Sequence, residues 1–113
     1  MIKVHREATQ MLASANISDI FVRANKDYDS ITEAESVQLM VLITNFFRAW
    51  ETAFLENRDG NLDEKVWEVL AKDYTEPMGA ASLLHVWNLR KQNYDADFQK
   101  FIDELEIHEY VSR

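Results

Sequence analysis

The chain has 113 residues, of which 47% are hydrophobic and 28% charged, a length and composition that predict one folded domain spanning residues 1–113. It contains no cysteine, which excludes disulfides and thiolate metal sites. The 12 Lys and Arg against 20 Asp and Glu give a net charge of −8, which argues against a nucleic-acid partner. Two glycines and one proline are very few for a protein rich in β-turns, so the composition favours an all-α fold.

The first predicted elements are two short helices. Over residues 1–15, apolar side chains recur at steps of three and four, which is the period of an amphipathic helix. The pattern breaks after that range, and we predict that Ser18 is the N-cap of a second helix ending near residues 25–27. A turn is predicted at Tyr28–Ser30.

A long central helix is predicted over about residues 32–58. Thr32 and Glu35 have the spacing of a capping box, and an apolar pattern follows without interruption to about Arg58. Such a helix would be about 40 Å long, because an α-helix rises about 1.5 Å per residue. Gly60 is suited to the left-handed conformation that commonly follows a helix end. Further apolar positions widen the helix's apolar stripe, which predicts neighbours on several sides: Val37, Met40, Val41, Phe47 and Leu55.

Three shorter helices are predicted downstream, which makes an all-α bundle of five or six helices around the long one. Asn61 or Asp63 caps the first, Pro77 fits the first turn of the second, and Asp95 caps the last. The first of these is predicted to bury a face of Val66, Trp67, Leu70 and Tyr74. The residues predicted to be buried are Leu39, Ile43, Phe46, Trp50, Phe54, Trp67, Leu70, Trp87, Phe98, Phe101 and Ile102.

No motif in the sequence points to a metal, a cofactor or a catalytic site. The three histidines lack the spacing of di-iron or zinc-protease ligands, and the isolated glycines form no phosphate loop. Glu104 and His108 would share one helix face, but such pairs are more often solvated than metal-bound. An acidic group at the start of one helix is interpreted as complementing the helix dipole: Asp59, Asp63, Glu64 and Glu68.

One constellation stands out as a candidate polar and aromatic cluster. It consists of Arg48, Trp50, Glu51, Trp67, Trp87 and Arg90. In the structural interpretation, the tryptophans fill the core and the arginines cover ring faces and meet Glu51. In the functional interpretation, the same side chains anchor a protein partner, because Trp and Arg dominate interface hot spots. The structural interpretation is favoured, and we predict that Arg48, Glu51 and Arg90 join the long helix to a later one.

Several short motifs give the chain a resemblance to a bacterial all-helical family with no assigned activity. They are Arg48-x-Trp50-Glu51, Gly60-x-Leu62-Asp63, Trp87-x-x-Arg90 and Phe98-x-x-Phe101. The resemblance covers roughly residues 18–104 and implies an all-helical intracellular module without known enzyme chemistry. Members often carry an N-terminal membrane anchor, which is not expected in this chain because its first residues carry charges of both signs and no apolar run. The expected location is therefore cytoplasmic, with membrane association expected only where the native chain has an anchor.

The expected function is a non-enzymatic helical interaction or scaffold module that binds a protein partner or itself. No cofactor, no nucleic acid and no membrane-spanning segment are expected. The alternative is a small-molecule binder or an enzyme with a pocket between helices. An exposed apolar patch would favour the first function, and an enclosed apolar cavity with convergent charged groups would favour the second.

Overall fold

The computed structural model of the protein describes residues 15–111, and within this range it contains five α-helices and no strand. The helices are α1 (Ala15–Lys26), α2 (Glu33–Arg58), α3 (Glu64–Thr75), α4 (Ala81–Arg90) and α5 (Ala96–Asp103). Short 3₁₀ turns lie at Tyr28–Ser30, Glu76–Gly79 and Lys91–Asn93. The all-α prediction and the long central helix are confirmed. The helix predicted before Ala15 lies outside the described residues.

The first described helix differs from its predicted boundary. α1 is continuous from Ala15 to Lys26, so Ser18 lies inside the helix, and its prediction as an N-cap is wrong. Ile17, Ile20 and Ala24 are all buried, at the helical steps of three and four. Burial of this face against α2 and α4 stabilises the helical conformation more than a local serine cap stabilises a break.

The predicted signals at both ends of α2 are confirmed. The Thr32 hydroxyl accepts a hydrogen bond from the Glu35 amide, and the Glu35 carboxylate accepts one from the Thr32 amide. After α2, Gly60 has a φ of 76°, in the left-handed region. The long helix is not covered on all the sides that its apolar pattern predicts, because Val37 and Val41 are 58% and 49% exposed.

α3 lies at the edge of the bundle and buries less than its pattern predicts. Asp63 caps the helix by accepting hydrogen bonds from the amides of Lys65 and Val66. None of the α3 residues is fully buried, and the prediction that Val66 is buried is wrong, since it is 46% exposed. One face of α3 packs on α2, so the opposite face stays in solvent.

The buried side chains of the described residues form one cluster between the helices. Six of the side chains predicted to be buried are buried: Leu39, Ile43, Trp50, Trp87, Phe98 and Ile102. The other five are half-buried, and all of them except Leu70 pack against the cluster: Phe46, Phe54, Trp67, Leu70 and Phe101. Most of these half-buried residues lie in α3 or contact it, so the shallow packing of α3 explains the difference.

The start of α4 is capped by a side chain from another helix. Pro77 lies in the 3₁₀ turn Glu76–Gly79 and not in the first turn of α4, which corrects its predicted place. Ala80, at the N-cap position, has no side chain that could cap. Instead, the Asn25 side-chain oxygen in α1 accepts hydrogen bonds from the Ser82 amide, at 3.0 Å, and from the Ser82 hydroxyl. Asp95 caps α5 as predicted.

After α5, a C-terminal strap (residues 104–111) without regular secondary structure returns across the molecule. The Tyr110 ring lies edge-on to Phe21 of α1, with 6.3 Å between ring centroids. The strap backbone passes so close to Gly79 that a Cβ there would lie 1.9 Å from the His108 carbonyl oxygen. Only glycine therefore accommodates the strap at this position.

Arg23 joins α1 to the start of α2. Its guanidinium donates to both carboxylate oxygens of Glu35, and its Nε donates to Asp19 at 2.9 Å. The Thr32 amide also donates to Glu35, at 2.9 Å. These hydrogen bonds, chiefly the one from Arg23, lower the pKa of Glu35 from 4.5 to about 2.

The Asn25→Ala variant tests the cap of α4. The substitution leaves the Ser82 amide and its buried hydroxyl without their acceptor, so the free energy of unfolding should fall by about 2 kcal/mol. Chemical denaturation measures this loss. Asn45→Ala, at an exposed position of α2, is the control and should change stability by less than about 0.5 kcal/mol. Equal stability of the two variants would contradict the cap.

The Arg23–Glu35 contact predicts a specific pH dependence of stability. Because the native pKa of Glu35 is lowered, its contribution is complete above the ordinary pKa of 4.5 and is lost as the pH falls to about 2. Across this interval the melting temperature of the wild type should fall more steeply than that of Glu35→Gln. The control variant Glu68→Gln, at an exposed position, should follow the wild type. Parallel curves for Glu35→Gln and the wild type would refute the pairing.

Candidate functional site

The structure brings the three tryptophans of the candidate cluster together through α5. Phe98 lies 5.8 Å from both Trp50 and Trp87, measured between ring centroids. Phe101 lies 6.0 Å from Trp50 and 5.9 Å from Trp67. Trp50 is 0% exposed and Trp87 is 2% exposed, so neither ring is available on the surface described here. Their burial favours the structural interpretation over a partner anchor.

Arg48 and Glu51 form the centre of a polar cluster, here called the Arg48 cluster, which also includes the Asn93 carbonyl, the Tyr94 ring and the Asp95 amide. The Arg48 guanidinium donates to Glu51 at 3.1 Å and to the Asn93 carbonyl at 3.3 Å. Its Cζ lies 4.2 Å from the centre of the Tyr94 ring, a cation–π contact. The second Glu51 oxygen accepts a hydrogen bond of 2.8 Å from the Asp95 amide. These contacts join the middle of α2 to the start of α5.

Arg90 lies outside the Arg48 cluster, which corrects the predicted polar group of three. Among residues 15–111, neither a hydrogen bond nor an ion pair joins it to Arg48 or Glu51. Its charge acts instead on Tyr28, whose pKa is raised by burial and lowered in part by Arg90. The Tyr28 ring stacks on His85 with 3.8 Å between centroids, a contact that no local sequence signal indicates.

The histidines and carboxylates of the described segment do not assemble into a metal centre. Within residues 15–111, no group of three or more such side chains is placed to hold an ion. Glu104 and His108 do not share a helix face, because α5 ends at Asp103. His108 lies instead 3.9 Å from Glu106, and both side chains are largely exposed.

An apolar cleft of about 230 Å³ opens between α1, α2, α4 and the C-terminal strap. Its described lining residues are Phe21, Leu42, Ile43, Phe46, Pro77, Leu83 and Tyr110. Sequence reasoning missed this cleft because its walls come from five separate segments, and no local pattern indicates that they meet. The apolar period of α2 indicates only that Leu42 and Ile43 are buried, and these two residues form the floor of the cleft.

A second cleft of about 670 Å³ is wider and lies between α3 and the C-terminal strap. Both signs of charge line it, including Lys72, Glu76, Glu106 and His108. Burial raises the pKa of Tyr74 and of Tyr94, and in Tyr94 the nearby Arg48 opposes the effect. Neither tyrosine lines either cleft, so these shifted groups do not converge on a common space as acid and base groups of an enzyme do.

Comparisons with protein-family models, with curated proteins and with solved structures find no match to this chain. The family resemblance of the sequence motifs therefore stays a prediction. Within residues 15–111, no helix combines the length and the apolar character that crossing a membrane requires.

The Glu51→Gln variant tests the Arg48 cluster. A neutral amide keeps the shape of the side chain but can no longer accept through both oxygens, so one contact, to Arg48 or to the Asp95 amide, is lost. Because Arg48 is 48% exposed, the free energy of unfolding should fall by about 1–2 kcal/mol, less than for a fully buried ion pair. Chemical denaturation checks this value against Glu56→Gln, an exposed glutamate on the same helix. Equal stabilities would show that the cluster does not join the two helices.

Proposed function

We propose that this chain is a non-enzymatic helical interaction module that binds a protein partner through exposed valines on α2 and α3. The observation that supports the proposal is the exposure of two valine pairs. Val37 and Val41 are 58% and 49% exposed, one turn apart on α2. Val66 and Val69 are 46% and 60% exposed, three residues apart on α3.

The valine pairs are not explained by the stability of this chain. Valine has a lower helix propensity than alanine, leucine or lysine, because its branched side chain loses rotamer freedom in a helix. The small apolar area that an exposed valine buries does little to compensate for this lower helix propensity. A single exposed apolar side chain needs no explanation, and a pair about one turn apart on a helix gives a partner two neighbouring apolar side chains to contact.

Charge indicates the chemistry of the partner. The chain has a net charge of −8, and the exposed Glu33 lies one turn before Val37 on α2. On α3, the exposed Lys65 and Lys72 lie one turn on either side of Val69, so the acidic flank belongs to the α2 pair. A partner with an apolar stripe and a basic flank fits the α2 pair. A second copy of the chain fits less well, because two copies of charge −8 repel each other. In this proposal the module works in the bacterial cytoplasm, in keeping with the family resemblance.

Affinity capture with matched variants tests the proposal. The wild type, Val37→Lys/Val41→Lys and Val66→Lys/Val69→Lys are used in parallel to capture proteins from an extract of the source cells. Lysine keeps the helix propensity high, removes apolar area and opposes a basic partner. We expect a partner that the wild type captures and that at least one double variant loses, and we expect binding to weaken with added salt.

The matched control is Leu89→Lys, because Leu89 is 48% exposed but lies on α4. Circular dichroism verifies that each variant keeps its helical content. A partner lost by a valine variant and retained by Leu89→Lys supports the proposed surface. Retention of every partner by both valine variants, or the absence of any specific partner, would contradict it.

A further inference from the structure

The apolar cleft has a buried floor and half-buried walls. Leu42, Ile43 and Leu83 form the floor and are 8%, 2% and 4% exposed. The walls include Phe21 of α1 and Tyr110 of the C-terminal strap, whose rings contact each other edge-on. The cleft is therefore bounded by rigid helices on one side and by an irregular segment on the other.

We propose that the apolar cleft is a binding site for an uncharged apolar molecule of one or two rings, and that the C-terminal strap is its lid. This inference is independent of the valine surfaces, since the two involve different residues. It concerns binding and includes no chemical step.

The volume of the cleft sets the size of the ligand. At about 230 Å³ it exceeds the engineered core cavity of about 150 Å³ that is known to bind benzene, and it is smaller than most drug-binding pockets. A ligand of one or two fused rings fills such a space.

The lining and the net charge of the chain set the charge of the ligand. The only polar side-chain group among the described lining residues is the Tyr110 hydroxyl, so a buried charge would have no ionic partner among them. The chain has a net charge of −8, which repels an anionic ligand as it approaches and favours a neutral molecule over a carboxylate.

The strap is held by few contacts, as a lid must be. The close approach at Gly79 fixes its backbone, and the contact of Tyr110 with Phe21 fixes its ring. Of the other apolar side chains of the strap, Ile107 and Val111 are 40% and 72% exposed and Leu105 is half-buried, so none is fully buried. A segment with so little burial opens at lower free energy than the helices do.

Titration with indole, followed by NMR of the methyl groups, tests the site. We expect saturable shifts of the Leu42, Ile43 and Leu83 methyl signals in the wild type. Indole-3-carboxylate, which has the same rings and a negative charge, should bind at least about tenfold more weakly, because its charge enters an apolar site. An absence of saturable shifts at these methyl groups, or equal binding of both probes, would overturn the proposal.

Strap variants test the lid. Tyr110→Ala removes one wall, and Gly79→Ala displaces the strap because its Cβ meets the His108 carbonyl. Each substitution should weaken indole binding by about fivefold or more. The double variant should bind indole no more weakly than the single variants do, because both substitutions act through the strap. Ile107→Ala, an exposed position on the strap, is the control and should bind as the wild type does. Unchanged binding in Tyr110→Ala would show that the strap is not the lid, and additive losses would show that the two substitutions do not act through one strap.

Discussion

The burial of Trp50 is the contact on which the arrangement of the helices depends. The indole lies in the middle of α2 and contacts Tyr74 next to the end of α3, and Phe98 and Phe101 of α5. α3 has 12 residues and α5 has 8, and isolated helices of such lengths are marginal in water. They are helical because they pack their aromatic side chains on α2. The Trp50 indole N–H has no hydrogen-bond partner among residues 15–111, so its contacts there are those of ring packing.

Ring packing is not directional enough to determine where the short helices begin. Directional polar contacts from other segments fix these positions. Asn25 of α1 holds the first turn of α4, and Glu51 of α2 holds the amide of Asp95, the N-cap of α5. Arg58, in the last turn of α2, lies 3.0 Å from Asp97 in the first turn of α5. All three contacts lie at a helix start, and the first two give a hydrogen-bond acceptor to an amide that has no partner within the helix. The contact of Arg58 instead joins two side chains of opposite charge.

The sequence predicts those features of the structure that depend on contacts between residues close together in the chain. The capping box of Thr32 and Glu35, the left-handed Gly60 and the cap of Asp95 each depend on a few adjacent residues, and the sequence predicts all of them. Ser18 has the properties of an N-cap, but burial of the α1 face decides its conformation. The sequence also predicts that Arg48 meets Glu51, because the two are three residues apart on one helix.

The contacts that the sequence does not predict join residues far apart in the chain. Asn25 and Ser82 are separated by 57 residues, and the partner of Glu51 is a backbone amide, which has no residue-specific signal. The misplaced Arg90 illustrates the same limit, since a three-residue spacing from Trp87 does not determine which helix the arginine faces. The spacing of Glu104 and His108 predicts a shared helix face, but α5 ends at Asp103, and no local pattern indicates the path of the C-terminal strap or the cleft behind it.

The C-terminal strap also connects the two parts of the molecule that the proposals concern. On one side, Tyr110 closes the apolar cleft, and on the other, Glu106 and His108 line the wider cleft beside α3. α3 carries the exposed pair Val66 and Val69. A ligand that shifts the strap therefore changes the charges next to α3. Thermodynamic linkage then requires that a partner sensitive to those charges alter the affinity of the cleft by the same factor. If the partner contacts the strap in the same position as the ligand does, each strengthens the binding of the other, and if it contacts the strap in the other position, each weakens it. The direction of the measured change in affinity therefore indicates how the strap moves.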